Sequence, residues 1–325
     1  MIMKCTGNYG KIKKVLSDNA MWVVLALLVI VFTIINPAFI KPSNVFIMLR
    51  QVSIIGITAV GMMFVILLGE IDLSVGSTIT FVNIICAYLM VNAGVNMWIA
   101  IPISMISTVL IGLVNGFMVA TIGIPSIIAT FASQTVLSGL ALKICGGIPI
   151  SGFPDAFRVF GQGYVFGVIP VPVLVMVICF AAGSFILNKT YFGRFFYAVG
   201  GNSRASELSG IAIREMRYLA FALSGFFAGL AGIEMLSRTN SGMGNAGVGY
   251  EFKAITCVVL GGVSVTGGYG SMSGVIAGTC IIGVLQSGMV FMNLDTYSQN
   301  ILLGIVLACA VGFDCIQRKI RNGNA

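Results

Sequence analysis

Uninterrupted apolar runs follow one another along almost the whole chain. The first, "MWVVLALLVIVFTII" at residues 21–35, is hydrophobic on both parities and around every helical face. A half-buried strand alternates with period two and a surface helix carries a single apolar stripe, so the pattern fits neither. A helix that crosses a bilayer needs about 20 mostly apolar residues. Ten such stretches are predicted, at residues 21–40, 52–69, 73–91, 97–120, 124–142, 164–187, 218–236, 252–267, 272–292 and 299–316. A transmembrane barrel would instead show short alternating segments. The expectation is an all-α polytopic membrane protein with about ten transmembrane helices, some of them interrupted. A segment over residues 1–20 precedes one transmembrane domain over 21–316, and a tail over 317–325 follows it.

Composition strengthens this reading. Of 325 residues, 58% are hydrophobic and 9% charged, where a soluble domain carries about 25% charged; mean hydropathy is +1.04. The net charge of +8 is carried by three segments. Residues 1–20 hold Lys4, Lys11, Lys13 and Lys14 against Asp18, residues 188–217 hold Lys189, Arg194, Arg204, Arg214 and Arg217 against Glu207 and Glu215, and residues 314–325 hold Arg318, Lys319 and Arg321 against Asp314. Basic loops remain cytoplasmic, and ten spans put all three segments on one side, so both termini and the 188–217 loop are predicted inside. The outward side then keeps residues 143–163 and 237–251. The basic stretch "KCTGNYGKIKK" before the first run has the flank of a signal peptide, but the run is long and lacks a small-residue cleavage site, so it is read as the first helix.

Polar residues inside these runs are the candidates for chemistry. "LLGEIDLSVGSTIT" places Glu70 and Asp72 between two apolar stretches, where a carboxylate costs roughly 2.5–3.5 kcal/mol at a helix centre unless it is met by water, a cation or hydrogen-bond donors. If residues 70–78 form a break between helices, Asp72 either accepts N–H groups at the next helix start or lines a polar pathway. Glu70 has no cation nearby in sequence; it faces interfacial water or finds a partner on another span. Asn83, Asn115, Gln134, Gln286 and Asn293, with Glu234 and Glu251 near the outward ends, add to a polar interior or to hydrogen bonding between helices.

Glycine interrupts the late runs, with 13 of the 41 glycines between Gly242 and Gly288. In "LGGVSVTGGYG", Gly261, Gly262, Gly267, Gly268 and Gly270 stand near predicted membrane depth, where unwound backbone must be buried in protein or line a wet cavity. Gly270, Gly274 and Gly278 form a small-residue face for close helix contact. Aligning Leu68 with Leu260 matches Gly69 with Gly261, Ser74 with Thr266 and Gly76 with Gly268, a hint of two related halves.

Several activities are excluded. The chain has no histidine, no Cys-x-x-Cys, no G-x-x-x-x-G-K-[ST] and no G-x-S-x-G, which removes a zinc site, a phosphate-binding loop and the common membrane hydrolases. Its eight cysteines lie mostly within apolar runs and read as small buried hydrophobes. The basic residues mark topology, and no nucleic-acid surface is expected. Broken helices, small residues and polar lining are what transport requires.

The loop "TYFGRFFYAVGGNSRASELSGIAIREMRYLAFALSGFFAGLAG" from Thr190 contains a short helix-like piece, with Ser203 as cap and Gly210 as terminator. Together with "GEIDLSVGS" (69–77), "NGFMVATIGIPSIIATFA" (115–132), "FGRFFYAVGGNSRASELSGI" (192–211), "LSGFFAGLAGI" (223–233) and "GYEFKAITCVVLGGVSVTGGYGSMSGVIAG" (249–278), it resembles the inner-membrane permeases of ATP-binding cassette importers for ribose, xylose, arabinose, galactose and related sugars. The resemblance runs in order from about residue 20 to residue 316.

It implies a non-enzymatic subunit in the cell membrane that works with a second permease, two cytoplasmic ATPase domains and an extracytoplasmic sugar-binding protein. ATP and Mg would be used by the ATPases, and this chain would bind no cofactor. The family's coupling segment maps onto Gly200, Gly201, Asn202, Arg204, Glu207, Ser209 and Gly210. Asp72, Ser74, Gly76, Tyr250 and Glu251 match the family's blocks, while Glu70 stands where a glycine is usual and Lys253 where an acid is usual. Glu251 and Glu234 are the two alternative partners expected for Lys253. Permeases for nucleosides or branched-chain amino acids share the plan and are the alternative; an ion-coupled secondary transporter and a membrane-embedded enzyme are remoter ones.

Overall fold

The computed structural model describes residues 20–323, with side chains from residue 21 to residue 316. Lys4, Cys5, Lys11, Lys13, Lys14 and Asp18, and the side chains of Arg318, Lys319 and Arg321, lie outside what is described. In chain order the helices are α1 (Ala20–Ile35), α2 (Pro42–Leu67), α3 (Val75–Val91), α4 (Met97–Phe117), α5 (Ser126–Cys145), α6 (Asp155–Gln162), α7 (Val171–Lys189), α8 (Tyr191–Gly201), α9 (Ser203–Leu208), α10 (Ile213–Thr239), α11 (Tyr250–Leu260), α12 (Met272–Phe291) and α13 (Thr296–Gly323). A two-stranded hairpin, β1 (Tyr164–Val165) and β2 (Ile169–Pro170), separates α6 from α7.

Among the described residues, seven helices are long and apolar enough to cross a membrane: α2, α4 with its π-helical extension to Ile122, α5, α7, α10, α12 and α13; α1 and α3 are shorter apolar helices. The chain is therefore an all-α, multi-pass membrane protein. One expected span is corrected: residues 252–267 do not form a crossing helix. Its helical part is α11, 11 residues long and so about 16 Å, half of the roughly 30 Å hydrocarbon core. Beyond it Gly261 and Gly262 turn the backbone out of the helix. The expected span from residue 164 also shortens, because residues 164–170 are the hairpin and the helix begins at Val171.

Local chemistry sets these boundaries. Pro42 opens α2, where its missing N–H has no intrahelical partner to lose. Asn96 and Ser271 cap α4 and α12, accepting the N–H of Trp98 (2.9 Å) and Gly274 (3.2 Å). Asn240 closes α10 in the left-handed region, as asparagine does more readily than most residues. Ahead of α13, Asp295 accepts the Ser298 hydroxyl (2.5 Å) and the N–H groups of Ser298 and Tyr297, which hold its carboxyl below the usual carboxylate range.

The core is built around α2, buried from Val52 to Leu67 on all sides, and α10. A β-carbon on Gly61 of α2 would stand 3.0 Å from Phe227 Cβ and 3.1 Å from Ser224 Cα, so these two helices meet backbone to backbone. Gly112 and Gly116 of α4 do the same against Phe221 and Tyr218 of α10. Gly274 and Gly278 of α12 pack on Gly261 and Cys257, as the small-residue face predicted; Gly270 lies in the preceding turn beside Val263. Residues 240–249 are not helical. They run back along α3, where the Met243 N–H meets Asn83 Oδ1 (2.9 Å) and the Gly247 N–H meets Thr80 Oγ1 (2.9 Å). Side chains of α3 thus supply the acceptors that a helix would have provided.

Candidate functional site

Two breaks in the helical ladder face each other. The first, between α2 and α3, turns at Gly69 (φ +77°); the second, between α11 and α12, turns at Gly262, Gly267 and Gly268. The Gly268 N–H donates to Leu67 O (2.9 Å). A β-carbon on Gly69 would lie 2.9 Å from Thr266 O, and one on Gly267 would lie 2.7 Å from Gly69 N. Both breaks are stripped of side chains where they touch. Gly69 opposes Gly267 across the contact.

A third element closes this junction. Gly200, at the end of α8, is packed against Leu67 O and Gly268 N, and a β-carbon on Gly268 would lie 2.6 Å from Gly201 Cα. The Tyr197 hydroxyl donates to Gly270 O (2.9 Å). Residues read from sequence in three separate blocks, Gly69, Gly267–Gly268 and Gly200–Gly201, therefore form one backbone contact.

Asp72 is buried at 2% exposure within the first break. Its Oδ1 accepts the Ser74 N–H (3.0 Å) and the Ser74 hydroxyl (2.6 Å), and its Oδ2 accepts the Ser224 hydroxyl of α10 (2.7 Å). The Asn115 amide of α4 donates to Ser74 Oγ (2.8 Å), and Ser133 of α5 donates to Asn115 Oδ1 (2.5 Å). One carboxylate thus anchors a chain of hydrogen bonds through three neighbouring helices. The Ile71 and Leu73 N–H groups, freed by the break, donate to Ser126 Oγ (3.2 Å) and Thr130 Oγ1 (3.1 Å) of α5. Asp72 does accept an N–H at the start of α3, but across a two-residue turn ahead of the cap position, which Ser74 occupies.

Glu70 finds the partner that had to come from another helix: its Oε1 lies 3.0 Å from Arg217 Nη2 on the first turns of α10. The pair is partly shielded, with side chains 14% and 33% exposed. A double-mutant cycle of Glu70→Gln and Arg217→Gln is expected to give a coupling energy of about 1 kcal/mol, read from denaturant unfolding in detergent. A value near zero would make the contact incidental.

In the first turn of α11, Glu251 is buried; its Oε1 accepts the Gly249 N–H (3.3 Å), and its Oε2, without a hydrogen-bond partner, packs against Gly76. Lys253 forms an ion pair with neither Glu251 nor Glu234; its ammonium stands 4.8 Å above the Tyr250 ring. Glu234 accepts the hydroxyl of Ser53. Among the described residues no group of His, Cys, Asp and Glu is placed to hold a metal ion.

In the loop between α8 and α10, Asn202 caps the six-residue α9 by accepting the Ala205 N–H (3.0 Å), in place of the expected Ser203. Gly210 ends it at φ +81°. Arg204 and Glu207 lie 3.6 Å apart at 83% and 62% exposure, a pair that adds little to stability. Ser209 donates to Ala205 O (2.9 Å). Sequence reasoning missed Leu208, an aliphatic side chain 81% exposed on this otherwise polar turn. It also missed Ser224, whose hydroxyl resembles any other in an apolar helix.

Comparison with known proteins identifies the family of the chain. Residues 44–311 match the family described as "Branched-chain amino acid transport system / permease component". The ribose import permease protein of Haemophilus influenzae is 39% identical over 315 residues, 96% of this chain and 97% of the relative. That of Bacillus subtilis is 40% identical over 292 residues (89% and 90%), and the L-arabinose transport system permease protein of Escherichia coli is 35% identical over 318 residues (98% and 95%). No solved structure matches the chain significantly. Matched over nearly its full length, the chain belongs to this permease family, as a non-catalytic, membrane-spanning transport subunit related to the ribose and L-arabinose permeases.

Proposed function

We propose that this chain is the transmembrane subunit of an ATP-driven, binding-protein-dependent importer that moves a pentose or similar monosaccharide across the cell membrane by alternating access. The observation that carries the reading is the backbone junction of Gly200, Leu67 and Gly268, in a chain whose full-length relatives are named for ribose and L-arabinose transport. A second permease, two cytoplasmic ATPase domains and an extracytoplasmic binding protein complete the assembly. Both termini and the loop bearing α9 face the cytoplasm in this scheme, consistent with their basic charge; residues 240–260 then make the eighth of ten crossings, as an extended stretch followed by the half-length α11 in place of one helix.

ATP binding draws the ATPases together. The exposed α9, with Arg204, Glu207 and Leu208, meets them; Gly200 passes the displacement to both helix breaks, which open and close the path. A sugar hydroxyl stripped of partners costs about 1–3 kcal/mol, so the path is polar and weakly binding, with selectivity left largely to the binding protein. Tyr250, Glu251, Glu70, Asp72 and Ser74 are its candidate lining or supports.

Replacing Arg204, Glu207 or Leu208 by Ala is expected to lower ATP-dependent sugar uptake several-fold in reconstituted vesicles while leaving insertion and thermal stability unchanged. Normal uptake and ATPase binding in all three variants would overturn the docking assignment. The family's description favours one other substrate class, branched-chain amino acids; a ligand screen of the cognate binding protein separates the two.

A further inference from the structure

The hairpin before α7 carries an apolar residue where its turn is least suited to one. Tyr164 pairs with Pro170 and Val165 with Ile169, the Val168 N–H returns to Val165 O (3.2 Å), and the Val171 N–H closes the base on Gly163 O (3.0 Å). The two central turn residues, Phe166 (φ +53°) and Gly167 (φ +71°), both lie in the left-handed region. That turn ordinarily takes Asn-Gly or Asp-Gly, and a bulky side chain at positive φ is strained. Phenylalanine is thus a poor choice for the turn itself. The residue is also 93% exposed.

We propose that Phe166 is a membrane-interface anchor, inserted with Val168 and Ile169 into the boundary between lipid headgroups and acyl chains. Three observations favour lipid over a water-soluble partner. The tip is apolar on every side, since Tyr164, Val168 and Ile169 are exposed with it. No charged residue occurs from Val159 to Asn188, so the hairpin offers nothing for electrostatic docking. The same uncharged stretch runs directly into α7, whose exposed Leu174, Val177 and Ile178 form part of the surface that a spanning helix presents to lipid.

The stem is held firmly enough to fix the tip: the Arg50 guanidinium of α2 stacks 4.9 Å over the Tyr164 ring, and Pro170 is buried. Aromatic side chains at the level of the headgroups are a general anchoring device. This inference requires that the chain span a membrane, and it is independent of what is carried.

The test uses the full chain in phosphatidylcholine–phosphatidylglycerol vesicles containing acyl chains brominated at graded depths. Phe166→Trp is made in a background carrying Trp22→Phe and Trp98→Phe, so that fluorescence reports position 166 alone. Emission is expected to fall by half or more with the shallowest bromines and progressively less with deeper ones, without any other protein present. Val168→Trp, at a position without positive φ, should show the same order and guards against a failure of the first variant to fold. Free quenching by aqueous acrylamide with no effect of bromine, or shielding that appears only when the binding protein or a second copy is added, would overturn the proposal.

Discussion

Gly200→Val is expected to abolish ATP-driven uptake, and Gly200→Ala to reduce it about tenfold or more. At this position even a β-carbon would overlap Leu67 O and stand 2.5 Å from Gly268 N, and both neighbours are backbone atoms that no rotamer change can move. Accommodating it means separating α8 from the two breaks and stretching the Gly268 N–H···O Leu67 bond. Overpacking of about 1–3 kcal/mol and a weakened buried hydrogen bond of about 1 kcal/mol act together, and each 1.4 kcal/mol is a factor of ten.

The neighbouring Gly201→Ala is the control. A β-carbon there meets nothing within 4 Å, so this variant should transport at nearly the wild-type rate. Uptake and ATP hydrolysis measured together in vesicles give a sharper reading: Gly200→Ala should keep hydrolysis while losing transport. If Gly200→Ala and Gly201→Ala behave alike, the junction does not carry force.

Asp72→Ala should be the most destabilising single change in the first break. It removes the acceptor of the Ser74 N–H, the Ser74 hydroxyl and the Ser224 hydroxyl at once. Buried donors left without partners cost about 1–3 kcal/mol each, and partial relaxation brings the sum to roughly 3–5 kcal/mol, near the upper end for point mutants. Asp72→Asn keeps one carbonyl oxygen toward Ser74 and presents an amide that the Ser224 oxygen can accept, so its cost is expected at about 1 kcal/mol. Thermal unfolding in detergent and uptake in vesicles separate the roles. A stable Asn variant that transports makes Asp72 an organiser of the chain entering α3; a stable one that does not would make the negative charge itself part of the pathway.

The helical framework was legible because apolar runs of spanning length have one common solution in lipid. What failed was residues 252–267, where hydropathy alone does not distinguish a crossing helix from a half-length helix followed by a turn; Gly261–Gly262 and Gly267–Gly268 carried the missing information. Asp72 was visible as a buried carboxylate near a helix start, yet its cross-helix partners Ser224 and, through Ser74, Asn115 and Ser133 were not. Small hydroxyls occur throughout membrane helices, and only their three-dimensional neighbours tell which are bonded. Glu70 needed a cation from elsewhere, and nothing in the sequence singled out Arg217 among five basic residues of one loop. The contact of Gly200 with Leu67 and Gly268 escaped notice for a related reason: a glycine records that space is scarce, without recording what fills it.

The non-helical stretch at residues 240–249 bears on how the protein is made. Bare peptide groups do not enter hydrocarbon alone, and here two of them, the Met243 and Gly247 N–H groups, find their acceptors on Asn83 and Thr80 of a helix synthesised much earlier. This stretch therefore reaches its place only after α3 and α10 have come together. Biogenesis is therefore expected to include a late, post-insertion step for which the first half of the chain serves as an internal template.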